Sequence, residues 1–158
     1  MTRLAHSVPE ACLSLRAGRT ALHEANSIGD PSTDICRIID EAGLFLTRFG
    51  AYHDGMALDR AAVKRYPEVS ALFQGLGYCA GHAGFDEEAV AAHERALELE
   101  PDNQKLVSDL GWTLLQAGHV LEARKTLERA VSIDHSDRLT QQNLRFCERQ
   151  GTTGQARC

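Results

Sequence analysis

Aromatic side chains are scarce in this sequence. Phe, Tyr and Trp together make up 6% of its 158 residues, which suits a core packed from Leu and Ala better than a deep aromatic pocket. Blocks of Lys or Arg are missing too: 17 basic residues against 22 acidic ones give a formal charge of −5, spread along the chain. A nucleic-acid partner would need a basic stripe to displace counterions, so that partner class is set aside. No apolar run approaches the ~20 residues of a membrane-spanning helix, and the N-terminus lacks the apolar core of a secretory signal. A cytoplasmic protein with no membrane association is therefore expected. The five cysteines (Cys12, Cys36, Cys79, Cys147 and Cys158) are odd in number, scattered and without a Cys-x-x-Cys, which argues against a disulfide framework or a zinc knuckle. His53, His82, His93 and His119 fall in different helices or turns, whereas a metal ion needs three or four ligands within ~2.0–2.3 Å. They are expected to be surface residues. There is no Gly-x-Ser-x-Gly, no phosphate loop, and no carboxylate pair that stands out from the Glu-rich face of Glu87, Glu88, Glu94, Glu98 and Glu100. The expectation is a protein that is not an enzyme and that uses no cofactor or metal.

What the chain does have is a period. Gly43, Gly77 and Gly111 lie 34 residues apart, as do Gly50, Gly84 and Gly118, then Ala62, Ala96 and Ala130, then Pro67 and Pro101. Four registers at one step mark a helix-turn-helix unit repeated three times. In the first unit Ile35, Ile38, Ile39, Ala42, Leu46 and Phe49 share one side of a helix, with Asp30-Pro31 as its start signal and Gly50 as its stop. A second helix is predicted from about Tyr52 to Tyr66. The next unit pairs helices near 69–82 and 86–99, and the third pairs 103–117 with 120–133. Short loops force each pair to run antiparallel. A glycine in mid-helix costs ~1 kcal/mol relative to Ala. Three of them in one register (Gly43, Gly77, Gly111) imply a close approach by the paired helix of the same unit, while Ala62, Ala96 and Ala130 serve the contact with the next unit.

Beyond Ile133 the pattern restarts and stops halfway. Ser136-Asp137 matches Asp102-Asn103, Leu144 falls 34 residues after Leu110, and Arg145 stands where a unit would carry glycine. Residues 137–149 read as a solvating cap helix that Gly151 ends, and 151–158 as a disordered tail. Residues 1–30 read as an N-terminal helical arm, with a partner-bound or disordered arm as the alternative. Its seam of Leu4, Val8, Ala11, Leu15, Gly18 and Leu22 alternates steps of four and three, which suits packing on the first repeat or on a second copy as a homodimer.

The unit from Ser70 reads Phe73, Leu76-Gly77, Ala89, Ala96 and Pro101. The unit from Gln104 reads Val107, Leu110-Gly111, Leu114, Ala123, Leu127 and Ala130. Both resemble the tetratricopeptide repeat (TPR). The resemblance spans roughly residues 34–150 and implies an all-α fold, a TPR α-solenoid of antiparallel helix pairs with units at about 34–67, 68–101 and 102–135. Where TPR units carry an aromatic late in the second helix, this chain has Asp59, His93 and Leu127. A charge there means either that the first repeat is looser or that Asp59 faces solvent.

The resemblance also implies a protein-binding scaffold, an adaptor or small chaperone, whose partner is a protein or peptide with apolar anchor residues. The layout is similar to that of small type III secretion translocator chaperones, and Phe73 to Cys79 looks like their second unit. A permanent structural subunit of a larger complex is the alternative. In TPR proteins the first helices of successive units line a concave groove. Its central position carries over here to Leu44, Tyr78, Trp112 and Phe146, and its flanks to Arg37, Asp40, Gln74, Lys105, Ser108 and Gln142. The central ladder reads as a row of groove anchors or as packing between units. TPR domains that capture acidic chaperone tails use a clamp of Lys and Asn, and Lys105 alone supplies too little charge for two carboxylates.

Overall fold

The computed structural model describes the backbone of residues 33–155 and the side chains of Ile39 and residues 41–150. The arm over residues 1–30, with its possible homodimer, lies outside them, as do the Asp30-Pro31 start signal and the side chains of Arg37 and Asp40.

Seven α-helices and no strand make up the described residues: α1 (Thr33–Arg48), α2 (Tyr52–Arg65), α3 (Ser70–His82), α4 (Asp86–Leu99), α5 (Gln104–Gln116), α6 (Val120–Ile133) and α7 (Arg138–Gln155). The first six form three pairs, and α7 packs on α6 and α5 at the C-terminal end.

The turn within each pair is a Schellman cap. Gly50, Gly84 and Gly118 take φ of 72°, 83° and 86°, left-handed values that glycine adopts without a Cβ penalty. Phe85 N–H returns to the Ala80 carbonyl at 2.9 Å, and His119 N–H to that of Leu114 at 2.9 Å. Between pairs the chain is fixed by side chains. Asn103 Oδ1 accepts from the N–H groups of Lys105 (3.1 Å) and Leu106 (3.4 Å) at the start of α5. Asp137 does the same for Leu139 at the start of α7. In the third unit, where His135 replaces the proline seen at Pro67 and Pro101, Asp134 accepts from both the backbone and hydroxyl of Ser136 and shapes the turn instead.

The final helix differs from the sequence reading. It continues through Gly151 to Gln155, so an end at residue 149 with a tail from 151 is corrected. A glycine weakens a helix by ~1 kcal/mol, which does not of itself stop one.

Three buried clusters run along the stack. Ile39, Leu46, Leu58 and Leu72 hold the first unit to the second, Met56, Leu76 and Ala89 fill the second, and Leu110, Leu114, Leu127 and Cys147 close the third against α7. Ala62, Ala96 and Ala130 are all fully buried.

Candidate functional site

The mid-helix glycines are where the two helices of a unit touch. A methyl group added at Gly77 would stand 2.6 Å from His93 Nε2, and one at Gly111 2.7 Å from Leu127 Cγ. At Gly43 the nearest atom would be Asp59 Oδ1 at an ordinary 3.6 Å. The residue facing the glycine from the second helix is therefore the 59/93/127 register, and all three members are buried. Burial decides the open question about Asp59. It lies inside the first unit, and its short side chain leaves that joint looser than the other two. The Cys79 thiol hydrogen-bonds to it, and burial, reinforced by the carboxylate, pushes the Cys79 pKa up to about 12. Cys147 is likewise buried with its pKa raised, burial being the main cause, and neither thiol is poised to react.

His93 corrects the expectation that the histidines lie on the surface, since it is 4% exposed. Its Nδ1 lies 2.9 Å from Thr113 Oγ1. Burial holds its pKa below the ordinary imidazole value, against the opposing pull of the Asp109 carboxylate and the Gln74 backbone. The absence of a side chain at Gly77 is what lets the ring lie against α3. Among the described residues no group of three or more His, Cys, Asp or Glu side chains is arranged to hold a metal ion, and no helix is long and apolar enough to cross a membrane.

Two clefts of about 440 Å³ each open along the first helices of the pairs. The first lies over α1 and α3 and takes in Leu44, Gln74, Lys105 and Asp59. The second lies over α3 and α5 and takes in Trp112, Ser108, His93 and Leu139. Tyr78 and Asp109 line both.

The ladder divides. Leu44, Tyr78 and Phe146 are 57%, 50% and 39% exposed, while Trp112 is half-buried against the third cluster, 5.9 Å from the Phe146 ring. Leu76 and Leu110 are buried as the inward row, with Leu144 half-buried behind them. Among the flanking positions, Gln74 donates to Asp109 across units. Lys105 is exposed. Ser108 is buried and accepts from Thr140 at 2.7 Å, so it also ties α5 to α7. Gln142 is exposed and lines neither cleft.

Asp59, Asp109, His93 and Leu139 are cleft residues that the sequence reading did not assign to the groove. Two were available from the period. Gly75, Asp109 and Asn143 keep the 34-residue step one position beyond the flanking set, and Ala71, Lys105 and Leu139 keep it as well. Together with the 74/108/142 and 78/112/146 registers they are spaced i, i+3, i+4 and i+7, which is one face of a helix.

The described residues are thus a helical-repeat solenoid with a partly apolar groove on the side of its first helices. The tetratricopeptide repeat family model matches residues 87–145, so that stretch carries tetratricopeptide repeat sequence. No curated protein matches it by sequence. Several solved TPR domains share its fold. The Sgt2 TPR domain of Aspergillus fumigatus superposes with a TM-score of 0.71 at 16% identity, over 80% of this chain and 83% of that one. The second TPR domain of human RPAP3, in complex with the HSP70 peptide SGPTIEEVD, gives 0.65 at 14% identity over 70% and 92%. The type III secretion chaperone SycD of Yersinia enterocolitica, in complex with a peptide of the translocator YopD, gives 0.66 at 18% identity over 76% and 97%.

Proposed function

We propose that this chain is a non-enzymatic adaptor or small chaperone of the cytoplasm that holds an apolar segment of a partner protein along its groove. The observation that carries this reading is the exposure of Leu44, Tyr78 and Phe146 on one face, with Tyr78 forming part of both clefts. Large aromatic side chains such as Tyr78 supply contact area with few torsions to freeze, and Tyr and Trp recur as interface anchors. Trp112, backed by the third cluster, acts as the rigid wall against which an anchor packs, and Arg37, Asp40 and Gln142 contribute to the rim.

The RPAP3 and SycD domains, each in complex with a peptide, support peptide capture as the kind of activity. An acidic tail such as the HSP70 peptide bound by RPAP3 is a poor fit here, because the first cleft sets Asp59 and Asp109 against Lys105. The likeness to SycD favours a narrower second reading, a chaperone that keeps an apolar stretch of a secreted translocator covered until export.

The test is retention of partners from native lysate by wild type and by the Tyr78→Ala/Trp112→Ala variant, with circular dichroism confirming that the variant folds. A dominant protein held by wild type and lost from the folded variant is the expected result. A partner held equally by both would move the site to residues 1–30 or to the outer face.

A further inference from the structure

The first helix of the stack presents an apolar face, and we infer that residues 19–28 of the same chain cover it as the second helix of a half-unit. A register repeated in every later unit carries this. Cys79, Thr113 and Cys147 stand 34 residues apart on α3, α5 and α7, and all three are buried. Each lies against the second helix of the unit before it. A methyl group at Gly55 of α2 would stand 2.7 Å from Cys79 Sγ. Thr113 Oγ1 is 2.9 Å from His93 Nδ1 of α4, and Cys147 Sγ donates to the Val120 carbonyl of α6 at 3.5 Å. One step earlier this register falls on Phe45 of α1, and among the described residues no helix precedes α1. Phe45 is only half-buried. Phe49, whose ring centroid is 4.7 Å from that of Phe45, is 47% exposed.

The chain ahead of α1 carries the side chains that this face lacks. Three registers of the second helices are buried in every unit: Gly55, Ala89 and Ala123; Asp59, His93 and Leu127; Ala62, Ala96 and Ala130. One step back they fall on Ala21, Ala25 and Ile28. Leu22 takes the register of Met56, which is buried with Cys79 in the second cluster. From Arg19 to Ile28 these four are the apolar residues, spaced i, i+1, i+4 and i+7, and the other six are polar. That spacing is one face of a helix. Ala21 has the small side chain that the register needs where the following first helix comes close. Residues 29–32 then lead to Thr33, and four residues likewise separate α2 from α3, α4 from α5 and α6 from α7. So short a tether holds the segment at an effective concentration on the order of millimolar, which a second copy of the chain has to outcompete. The inference is independent of the groove reading.

Hydrogen exchange on the full chain, with the mass in solution measured alongside, tests it. Amides of residues 19–28 should exchange at least about tenfold more slowly than in an isolated peptide of that sequence, in a monomer and at any protein concentration. Ala21→Trp, which fills the contact with Phe45, should bring them to within about twofold of the peptide. His23→Trp, on the opposite side of the segment, should leave them slow. Phe49→Asp alters the exposed face alone and should also release them, with α3 to α7 still protected. Wild-type exchange as fast as the peptide overturns the inference. So does slow exchange that neither Ala21→Trp nor Phe49→Asp changes, because the segment would then be ordered elsewhere. Protection that appears only with a dimer mass overturns it too, and assigns the face to a second copy.

Discussion

The first and third units build one joint from opposite materials. In the third, Gly111 lies against Leu127, a fully buried apolar side chain of the third cluster. In the first, Gly43 faces Asp59, which is shorter and polar and leaves ordinary spacing where the third unit is tight. The second unit is intermediate, with His93 close against Gly77 and tied to Thr113 of the next unit. A repeat thus keeps its backbone geometry while the content of one buried register changes. The consequence is felt on the groove side, where the glycines open onto whatever lies beneath them. Dense apolar filling backs the half-buried Trp112 in the third unit, and in the first unit a carboxylate lies under the cleft lining.

Substitutions that interchange the two kinds of filling sharpen this contrast. The largest effect is expected from Leu127→Ala, which empties a site with no exposed surface and should cost about 2–5 kcal/mol in urea unfolding. Next comes Gly77→Leu. It drives a side chain into the space of the His93 ring and should cost about 1–3 kcal/mol through overpacking. A smaller, pH-dependent effect follows from His93 itself. Its folded-state pKa is depressed, burial being the main cause. The unfolded chain therefore takes up its proton first as pH falls, and stability present above the unfolded pKa of about 6.5 is lost below it. His93→Leu, which gives the second unit the filling of the third, should flatten the part of the fall in thermal midpoint between pH 7 and pH 5 that this group causes. An unchanged slope would mean that other groups carry it.

Much of this architecture was legible in the sequence because a repeat prints the same constraint several times. The left-handed turn at Gly50, Gly84 and Gly118 and the close approach at Gly77 and Gly111 each need glycine for a steric reason, so residue type and spacing together give the helix pairs and their contact. The ladder was legible as a register, but the degree to which each rung is covered was not. Trp112 and Tyr78 occupy the same register, and Trp112 is covered more because the third cluster and Phe146 pack around it. Buried polar residues were the hardest to place. Asp59 and His93 look like surface residues by type, and they are buried because the repeat backbone commits their register to the interior whatever occupies it. The end of α7 was misread because a glycine signals a helix stop by statistics, while Gly50, Gly84 and Gly118 stop theirs by adopting positive φ.

The claim that joins fold to groove is that the same backbone contact is full in one unit and roomy in another. Urea unfolding of Gly43→Ala and Gly111→Ala, measured side by side, tests it most directly. At Gly43 a methyl group meets nothing closer than 3.6 Å, so the gain in helix propensity should stabilise the protein by up to about 1 kcal/mol. At Gly111 the same methyl group meets Leu127 side-chain atoms at 2.7 and 2.8 Å and its backbone nitrogen at 3.3 Å, and the variant should lose about 1–3 kcal/mol. Opposite signs are the predicted result. Equal destabilisation at both sites would contradict the account, because the first unit would then be packed as tightly as the third.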